Sequence, residues 1–119
     1  MIDTHAHIYA TEFDDDIEVA LSRAKTAGVS RILMPAIDTE THERMLLLEE
    51  NHAEYCISMM GLHPCSVKPN YKDELKVIEG YFSKRKFIAV GETGLDFYWD
   101  LTFKEQQYEA FHQQACANQ

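Results

Sequence analysis

Two histidines near the amino terminus, His5 and His7, are separated by a single residue. The side chains of residues 2–8 alternate in character, which predicts a short strand with both imidazoles on the same side. From there the two rings could bind one metal ion together, and Asp3 on the same face could orient one of them. Two polar residues on a half-exposed strand give the same pattern, so the pair alone leaves both interpretations open.

A carboxylate follows the fourth apolar run, residues 87–90, after one intervening glycine. The carboxyl ends of parallel strands meet at one face, so this side chain, Glu92, is expected beside His5 and His7. We predict that Glu92 is a metal ligand, with a helix cap as the alternative. Asp96, four residues later, is equally consistent with a ligand and with a loop residue.

His63 follows the third predicted strand, residues 55–60, and precedes Pro64. There it could donate a hydrogen bond to a phosphate oxygen or bind a metal edge-on, and the alternative is a loop histidine held by the proline turn. Three of the four predicted strand ends therefore carry a histidine or an acidic side chain. The second strand offers only Asp38, which is predicted to be a loop or helix N-cap residue.

The remaining candidates lie elsewhere along the chain. Three histidines fall within or at the ends of predicted helices and are predicted to be ordinary surface or helix-end residues: His42, His52 and His112. An aromatic run follows Asp96: Phe97, Tyr98 and Trp99. A nucleobase could stack on these rings, and covering the mouth of a barrel is an equally good interpretation.

The elements that must position these residues alternate strictly between strand and helix. Predicted strands cover residues 2–8, 29–37, 55–60 and 87–90, and predicted helices cover residues 13–27, 41–51, 73–84 and 102–117. Short connections between such elements imply an α/β fold of parallel strands with helical crossovers, and residues 1–119 are predicted to form one domain. A complete (β/α)₈ barrel needs about 250 residues, so four units correspond to half of one.

Composition limits the classes of function. The chain carries 11 basic and 20 acidic side chains, a formal net charge of −9, which argues against a protein that coats nucleic acid with a basic face. It does not exclude a nuclease, because a divalent metal can hold a phosphodiester locally. The three cysteines form no CxxC pair and are expected to be reduced thiols. Neither a spanning segment nor a signal peptide is apparent, so a cytoplasmic enzyme without membrane partners is expected.

Four segments in this order resemble the TatD family of metal-dependent hydrolases. They are Asp3-Thr4-His5-Ala6-His7, Gly61-Leu62-His63-Pro64, Gly91-Glu92-Thr93-Gly94-Leu95-Asp96 and the Gln106-Gln107-x-x-Ala110-Phe111 run of the last helix. The resemblance covers essentially the whole chain, as the amino-terminal half of such an enzyme. HxH alone would indicate only the wider amidohydrolase superfamily.

The resemblance implies a TIM barrel that hydrolyses phosphodiester bonds in DNA with one or two divalent metal ions. It makes His5 and His7 ligands of one metal, Glu92 a metal-bridging carboxylate, and His63 a contact to the substrate phosphate. Imidazole and carboxylate ligands together suit zinc or manganese, whereas magnesium would favour the carboxylate.

The same resemblance implies two further histidine ligands and an aspartate on later strands, which this sequence does not supply. An open sheet edge is also expected. Three explanations follow: a fragment of a longer enzyme, a homodimer that completes the barrel, or a truncated, non-catalytic metal-binding relative. Another amidohydrolase-like activity on a small ester is a further alternative. We expect a fragment that self-associates when it is studied alone.

Overall fold

The fold is taken from a computed structural model that describes residues 1–117. Its strands are β1 (Ile2–Asp3), β2 (Arg31–Pro35) and β3 (Cys56–Met59), and its helices are α1 (Ile17–Thr26), α2 (Thr39–Asn51), α3 (Tyr71–Lys84) and α4 (Lys104–Ala117). Short 3₁₀ turns lie at Thr11–Phe13 and Pro64–Ser66. The strands form a parallel sheet in the order β1-β2-β3. The predicted α/β architecture with helical crossovers is therefore confirmed.

The helices contribute apolar residues that recur at helical spacing to one core shared with the sheet. Large fully buried side chains include Leu21 of α1, Met34 of β2, Met45 of α2, and Leu75 and Ile78 of α3. Burying a side chain of this size contributes roughly 1.5–3 kcal/mol. Together with their buried neighbours these residues form one hydrophobic core cluster, which supports the strands.

Local signals account for where α1 and α2 end and begin. Gly28 follows the C-cap of α1 with φ +89°, a left-handed conformation that favours glycine. Asp38 is the N-cap residue of α2, as predicted, and the Thr41 hydroxyl accepts from its backbone N–H at 3.2 Å. The predicted start of α1 at Phe13 is wrong, since the helix begins at Ile17. Three consecutive aspartates, residues 14–16, separate the two positions, and aspartate favours helix starts over helix interiors.

The predicted strands are all longer than the observed ones, and the first and the fourth differ most. β1 ends at Asp3, where the Asp3 carboxylate accepts a hydrogen bond from the backbone N–H of His5 at 3.0 Å. A fourth strand over residues 87–90 does not form, and only a parallel bridge between Met60 and Val90 remains. His5 and His7 therefore follow a strand rather than alternate within one.

His42 departs from its predicted surface position. It lies in the first turn of α2 but is 1% exposed, and its ring meets that of Tyr81 edge-on at 5.5 Å between centroids. His52, at the carboxyl end of α2, approaches Glu18, and His112 is exposed on α4. These two histidines match the prediction.

Among the described residues, no helix combines the length and apolar character needed to cross a membrane.

Candidate metal centre

Glu92 is positioned by backbone hydrogen bonds to two neighbouring strand ends. The N–H of Gly91 donates to the Met60 carbonyl at 3.0 Å, just beyond β3. The N–H of Glu92 donates to the Ala36 carbonyl at 2.9 Å, and the N–H of Ala36 donates in return to the Gly91 carbonyl at 2.8 Å. The segment is thus held on both sides, which fixes where the Glu92 side chain begins.

Gly61 makes this close approach possible. A Cβ atom at residue 61 would lie 2.8 Å from the carbonyl carbon of Gly91 and 2.9 Å from the backbone oxygen of Glu92. These neighbours are backbone atoms that cannot rotate away, so any side chain at this position would displace the segment that carries Glu92. Glycine is needed here for space.

Two histidine nitrogens converge on one oxygen of Glu92. His5 Nε2 and His7 Nε2 each lie 3.2 Å from Glu92 Oε2. The two rings meet edge-on, with centroids 5.1 Å apart. One donor atom from each of the three residues falls within 4.8 Å of the others. The structure therefore brings the three predicted metal ligands together at the carboxyl ends of the strands.

The environment of Glu92 Oε2 fits a cation better than a hydrogen bond. This oxygen is buried, yet among the described residues it accepts no hydrogen bond despite the two nearby nitrogens. A buried carboxylate oxygen without a partner costs free energy, and a metal ion shared with the imidazoles would satisfy it. Two nitrogen ligands and one carboxylate also form a donor set that divalent metals bind.

Hydrogen bonds behind His7 select the tautomer that a metal requires. The Tyr9 hydroxyl donates its only proton to the Pro35 carbonyl at 2.7 Å. Its contact with His7 Nδ1, at 3.0 Å, therefore requires that Nδ1 carry the proton and donate. Burial raises the pKa of Tyr9, which keeps the hydroxyl protonated. His7 Nε2 is left with a lone pair directed at the candidate metal position.

His63 has the opposite tautomer. Its Nδ1 accepts a hydrogen bond from the backbone N–H of Cys65 at 3.0 Å, in the 3₁₀ turn that Pro64 begins. In a neutral imidazole the proton must then be on Nε2, which lies 3.1 Å from Glu92 Oε1. His63 consequently presents a donor to the centre, whereas His7 presents an acceptor.

Asp96 has a structural role in the loop. One carboxylate oxygen accepts from the backbone N–H of Tyr98 at 3.0 Å, and the other accepts from the Cys65 thiol at 3.4 Å. It is not part of the three-residue donor cluster among the described residues. Asp3, expected to orient a histidine ring, contacts the backbone of His5 instead.

Two buried glutamines of α4 bind the backbone of the loops at the site. This role was not predicted from the sequence. The Gln107 amide pairs with both backbone groups of Asp96, at 2.8 and 2.9 Å. The Gln114 amide accepts from the Leu62 N–H at 2.8 Å and approaches the Leu62 carbonyl at 3.4 Å. A sequence pattern that could have indicated it is the spacing of the two glutamines, seven residues apart on the helix face that also carries the buried Ala110.

Comparisons with known proteins identify the family to which the chain is similar. A family model described as TatD related DNase matches residues 2–119. The metal-dependent hydrolase YabD of Bacillus subtilis (strain 168), itself uncharacterized, is 33% identical over 114 residues, covering 96% of this chain and 44% of YabD. The 3'-5' ssDNA/RNA exonuclease TatD of Pantoea ananatis (strain LMG 20103) is 32% identical over 114 residues and is covered to the same 44%.

A solved structure shows the same similarity in three dimensions. The crystal structure of YjjV, a TatD homologue from Escherichia coli K12, superposes with a TM-score of 0.89 at 34% identity. The match covers 98% of this chain and 46% of that one. The chain thus spans less than half the length of these relatives, and its fold corresponds to about half of a TatD-type barrel.

Proposed function

The chain belongs to the family of TatD-related DNases, and from this premise we propose that it carries one side of a divalent-metal site that hydrolyses phosphodiester bonds in DNA. The observation that carries the proposal is the convergence of His5 Nε2 and His7 Nε2 on the unpartnered Oε2 of Glu92. Similar proteins named as metal-dependent hydrolases and as a single-stranded nucleic-acid exonuclease support the same chemistry.

Each side chain has a distinct role in the proposed reaction. His5, His7 and Glu92 would hold one divalent ion, with zinc or manganese favoured by the mixed ligands and magnesium by the carboxylate. A second ion would share Glu92 as a bridging ligand. When bound, the metal supplies Lewis-acid polarisation of a phosphoryl oxygen and lowers the pKa of the attacking water.

His63 is proposed to act on the substrate directly. Its Nε2–H, fixed by the Cys65 hydrogen bond to Nδ1, is available to donate to a non-bridging phosphate oxygen. Such a donor stabilises the charge that develops on phosphate during transfer. Nε2 lies 3.1 Å from Glu92 Oε1, so a phosphate bound to it would lie next to the proposed metal ligands.

A second copy of the chain is the proposed protein partner. Apolar side chains remain exposed at both edges of the sheet, with Ile2 on the β1 side and Ile88 before the bridge to Met60. Parallel strands are normally buried, so covering these edges favours association. Sedimentation equilibrium of the chain at several concentrations tests this, and a concentration-independent monomer would contradict it.

The test of function compares two glutamate substitutions in the 119-residue chain. Glu92→Gln removes the carboxylate of the centre, and Glu43→Gln removes an exposed carboxylate of α2 as the matched control. We expect the unsubstituted chain and the Glu43 variant to bind Mn²⁺ in isothermal titration calorimetry. Loss of an outer-shell partner costs about 10–100-fold in metal affinity, so loss of a direct ligand is expected to cost at least about 100-fold.

Hydrolysis of single-stranded DNA is measured on the same three samples. Turnover that disappears only in the Glu92 variant would support the proposed reaction. Metal binding without turnover in the folded chain would contradict catalysis by this chain and leave a metal-binding module. Equal Mn²⁺ affinity in all three samples would contradict the metal centre itself.

A further inference from the structure

A cleft of about 240 Å³ lies between two loops that follow residues of the proposed metal centre. It is bounded by the loop that follows His63 and the loop that follows Glu92, which the Cys65–Asp96 contact at 3.4 Å joins. Its lining includes Pro64, Val67, Lys68, Trp99 and Phe103. The volume is below the roughly 300 Å³ of pockets that enclose drug-sized ligands, so it suits one planar ring system rather than a whole nucleotide.

Two aromatic side chains at this cleft are unusually exposed. Tyr98 is 83% exposed and Trp99 is 77% exposed, although large rings normally gain by being covered. They contact each other edge-on, with centroids 4.7 Å apart, which holds one ring perpendicular to the other. Trp99 lines the cleft and is the single tryptophan of the sequence. Its free face is a surface on which a base can stack.

Two lysines lie on the segments that bound the cleft, Lys68 in its lining and Lys104 next to Phe103. Lys68 Nζ lies 5.8 Å from the ring centre of Phe103, and Lys104 Nζ lies 5.2 Å from that of Phe97. Neither ammonium is within 4.0 Å of a carboxylate oxygen in the described part of the chain. Both lysines therefore lie against half-buried phenylalanine rings without a close ion-pair partner, where a phosphate of a bound strand can reach them.

Two carboxylates, Asp96 and Asp100, line the same cleft as Lys68 and accept hydrogen bonds from the loops around it. The Asp96 carboxylate accepts from Tyr98 N–H and the Cys65 thiol. Asp100 Oδ1 accepts from both the N–H and the hydroxyl of Thr102, at 2.8 and 2.6 Å, and these bonds lower the pKa of Asp100. The two carboxylates therefore shape the loop that presents Trp99.

We propose that this cleft is a nucleobase subsite, in which a base of single-stranded DNA stacks on Trp99 while Lys68 and Lys104 face the adjoining phosphates. The inference rests on the proposed function for the choice of ligand. It adds that substrate is selected by unstacked bases as well as by phosphate, because a base in a duplex has both faces occupied. Stacking on an aromatic side chain is sequence-tolerant, so little base preference is expected.

The first measurement uses Trp99 fluorescence. EDTA is present, so that binding is measured without metal-dependent cleavage of the oligonucleotide. Oligothymidylate is expected to quench the emission, and an abasic oligonucleotide of equal length, with the same phosphates, is expected to quench it far less. A comparison of oligodeoxyuridylate with oligouridylate, which carry the same base, identifies the sugar: equal quenching assigns recognition to the base alone, and weaker quenching by oligouridylate assigns it to DNA. Either result supports stacking, whereas equal quenching by the abasic chain overturns it.

The second measurement is the affinity for a labelled oligothymidylate by fluorescence anisotropy. Trp99→Ala is expected to weaken binding about tenfold or more. Leu47→Ala, which truncates an exposed apolar side chain of α2, is the matched control and is expected to leave the affinity unchanged. Equal affinity of the Trp99 variant and the unsubstituted chain overturns the subsite.

These outcomes are separable from those that concern hydrolysis. Base-dependent quenching in a chain that never hydrolyses DNA would overturn the proposed reaction and leave the subsite in place. Hydrolysis lost in the Glu92→Gln chain, without any base-dependent quenching, would support the reaction and overturn the subsite. The Glu92→Gln chain is expected to retain the fluorescence response.

Discussion

The two sides of the candidate metal centre are built in different ways. His5 and His7 follow a two-residue edge strand with exposed residues, and the His5 side chain is 56% exposed. Glu92 and His63 follow residues in the interior, where Met60 and Leu62 are almost completely buried. The histidine side is held to β2 by the β1 pairing and by the bond from Ala6 N–H to the Leu33 carbonyl, and the Glu92 side is held to the ends of both β2 and β3.

From this difference we expect the position of Glu92 to be more rigid than that of His5. Glu92 is held through Ala36 and Met60, and Gly61 provides the space for its backbone. On the histidine side, His7 is oriented by Tyr9, whereas Asp3 reaches only the backbone of His5. We therefore expect changes on the Glu92 side to be the most damaging and changes around His5 to be the best tolerated.

The largest effect is expected from Gly61→Ala. The new Cβ would overlap the backbone of Gly91 and Glu92, so the fold should lose about 1–3 kcal/mol and Glu92 should leave its position. Mn²⁺ affinity should fall by more than the roughly 10–100-fold of an outer-shell change. Chemical denaturation and calorimetry measure the two effects.

The matched control for that substitution is Gly80→Ala. Gly80 lies inside α3 with open space around its Cα, so alanine should stabilise the helix by about 0.5–1 kcal/mol and leave metal binding unchanged. If the Gly61→Ala chain bound Mn²⁺ as tightly as the Gly80→Ala chain, the position of Glu92 would not depend on the space that Gly61 provides.

A smaller effect is expected from Tyr9→Phe, which acts on the histidine side. Losing the hydroxyl leaves His7 Nδ1–H without its acceptor, so the ring is no longer held in the ligand tautomer. Mn²⁺ affinity should fall about 10–100-fold. Tyr55→Phe also removes a hydroxyl that donates to a backbone carbonyl, Val29, and should keep the affinity. Equal affinities in the two variants would mean that Tyr9 does not orient His7.

The smallest effect is expected for the pH dependence of stability, through the buried His42. Burial lowers the pKa of His42, and the nearby charges of Glu74 and Asp38 offset this only in part. As pH falls below the ordinary value of 6.5, the unfolded chain takes up this proton before the folded chain does, so stability decreases toward the lowered pKa. His42→Phe should flatten the stability profile between about pH 7 and 5.5. Parallel denaturation curves for both chains over that range would contradict the assignment.

Much of the fold followed from local signals in the sequence. The helices were predicted within a few residues because apolar spacing and residues such as Asp38 and Gly28 specify them locally. The segment before Glu92 was wrongly predicted as a strand because a strand depends on its partners. Val90 makes one bridge to Met60, and the next residues bond to Ala36 instead.

The candidate site divides along the same line. Residue types at strand ends were enough to predict that His5, His7, His63 and Glu92 should be neighbours. The tautomers were not predictable, because they depend on contacts with residues distant in sequence, such as Tyr9 with Pro35. The burial of His42 and the backbone contacts of Gln107 likewise arise only when separate helices pack together.

The hydrogen bonds that hold Glu92 also have a kinetic consequence. Ala36 and Glu92 are far apart in the sequence, so their pairing must wait for β2 and β3 to come together, and loop closure over such distances is slow compared with helix formation. Metal affinity should therefore appear late in refolding, after most of the helical signal. In a stopped-flow experiment, the uptake of Mn²⁺ would time the completion of long-range structure in this chain.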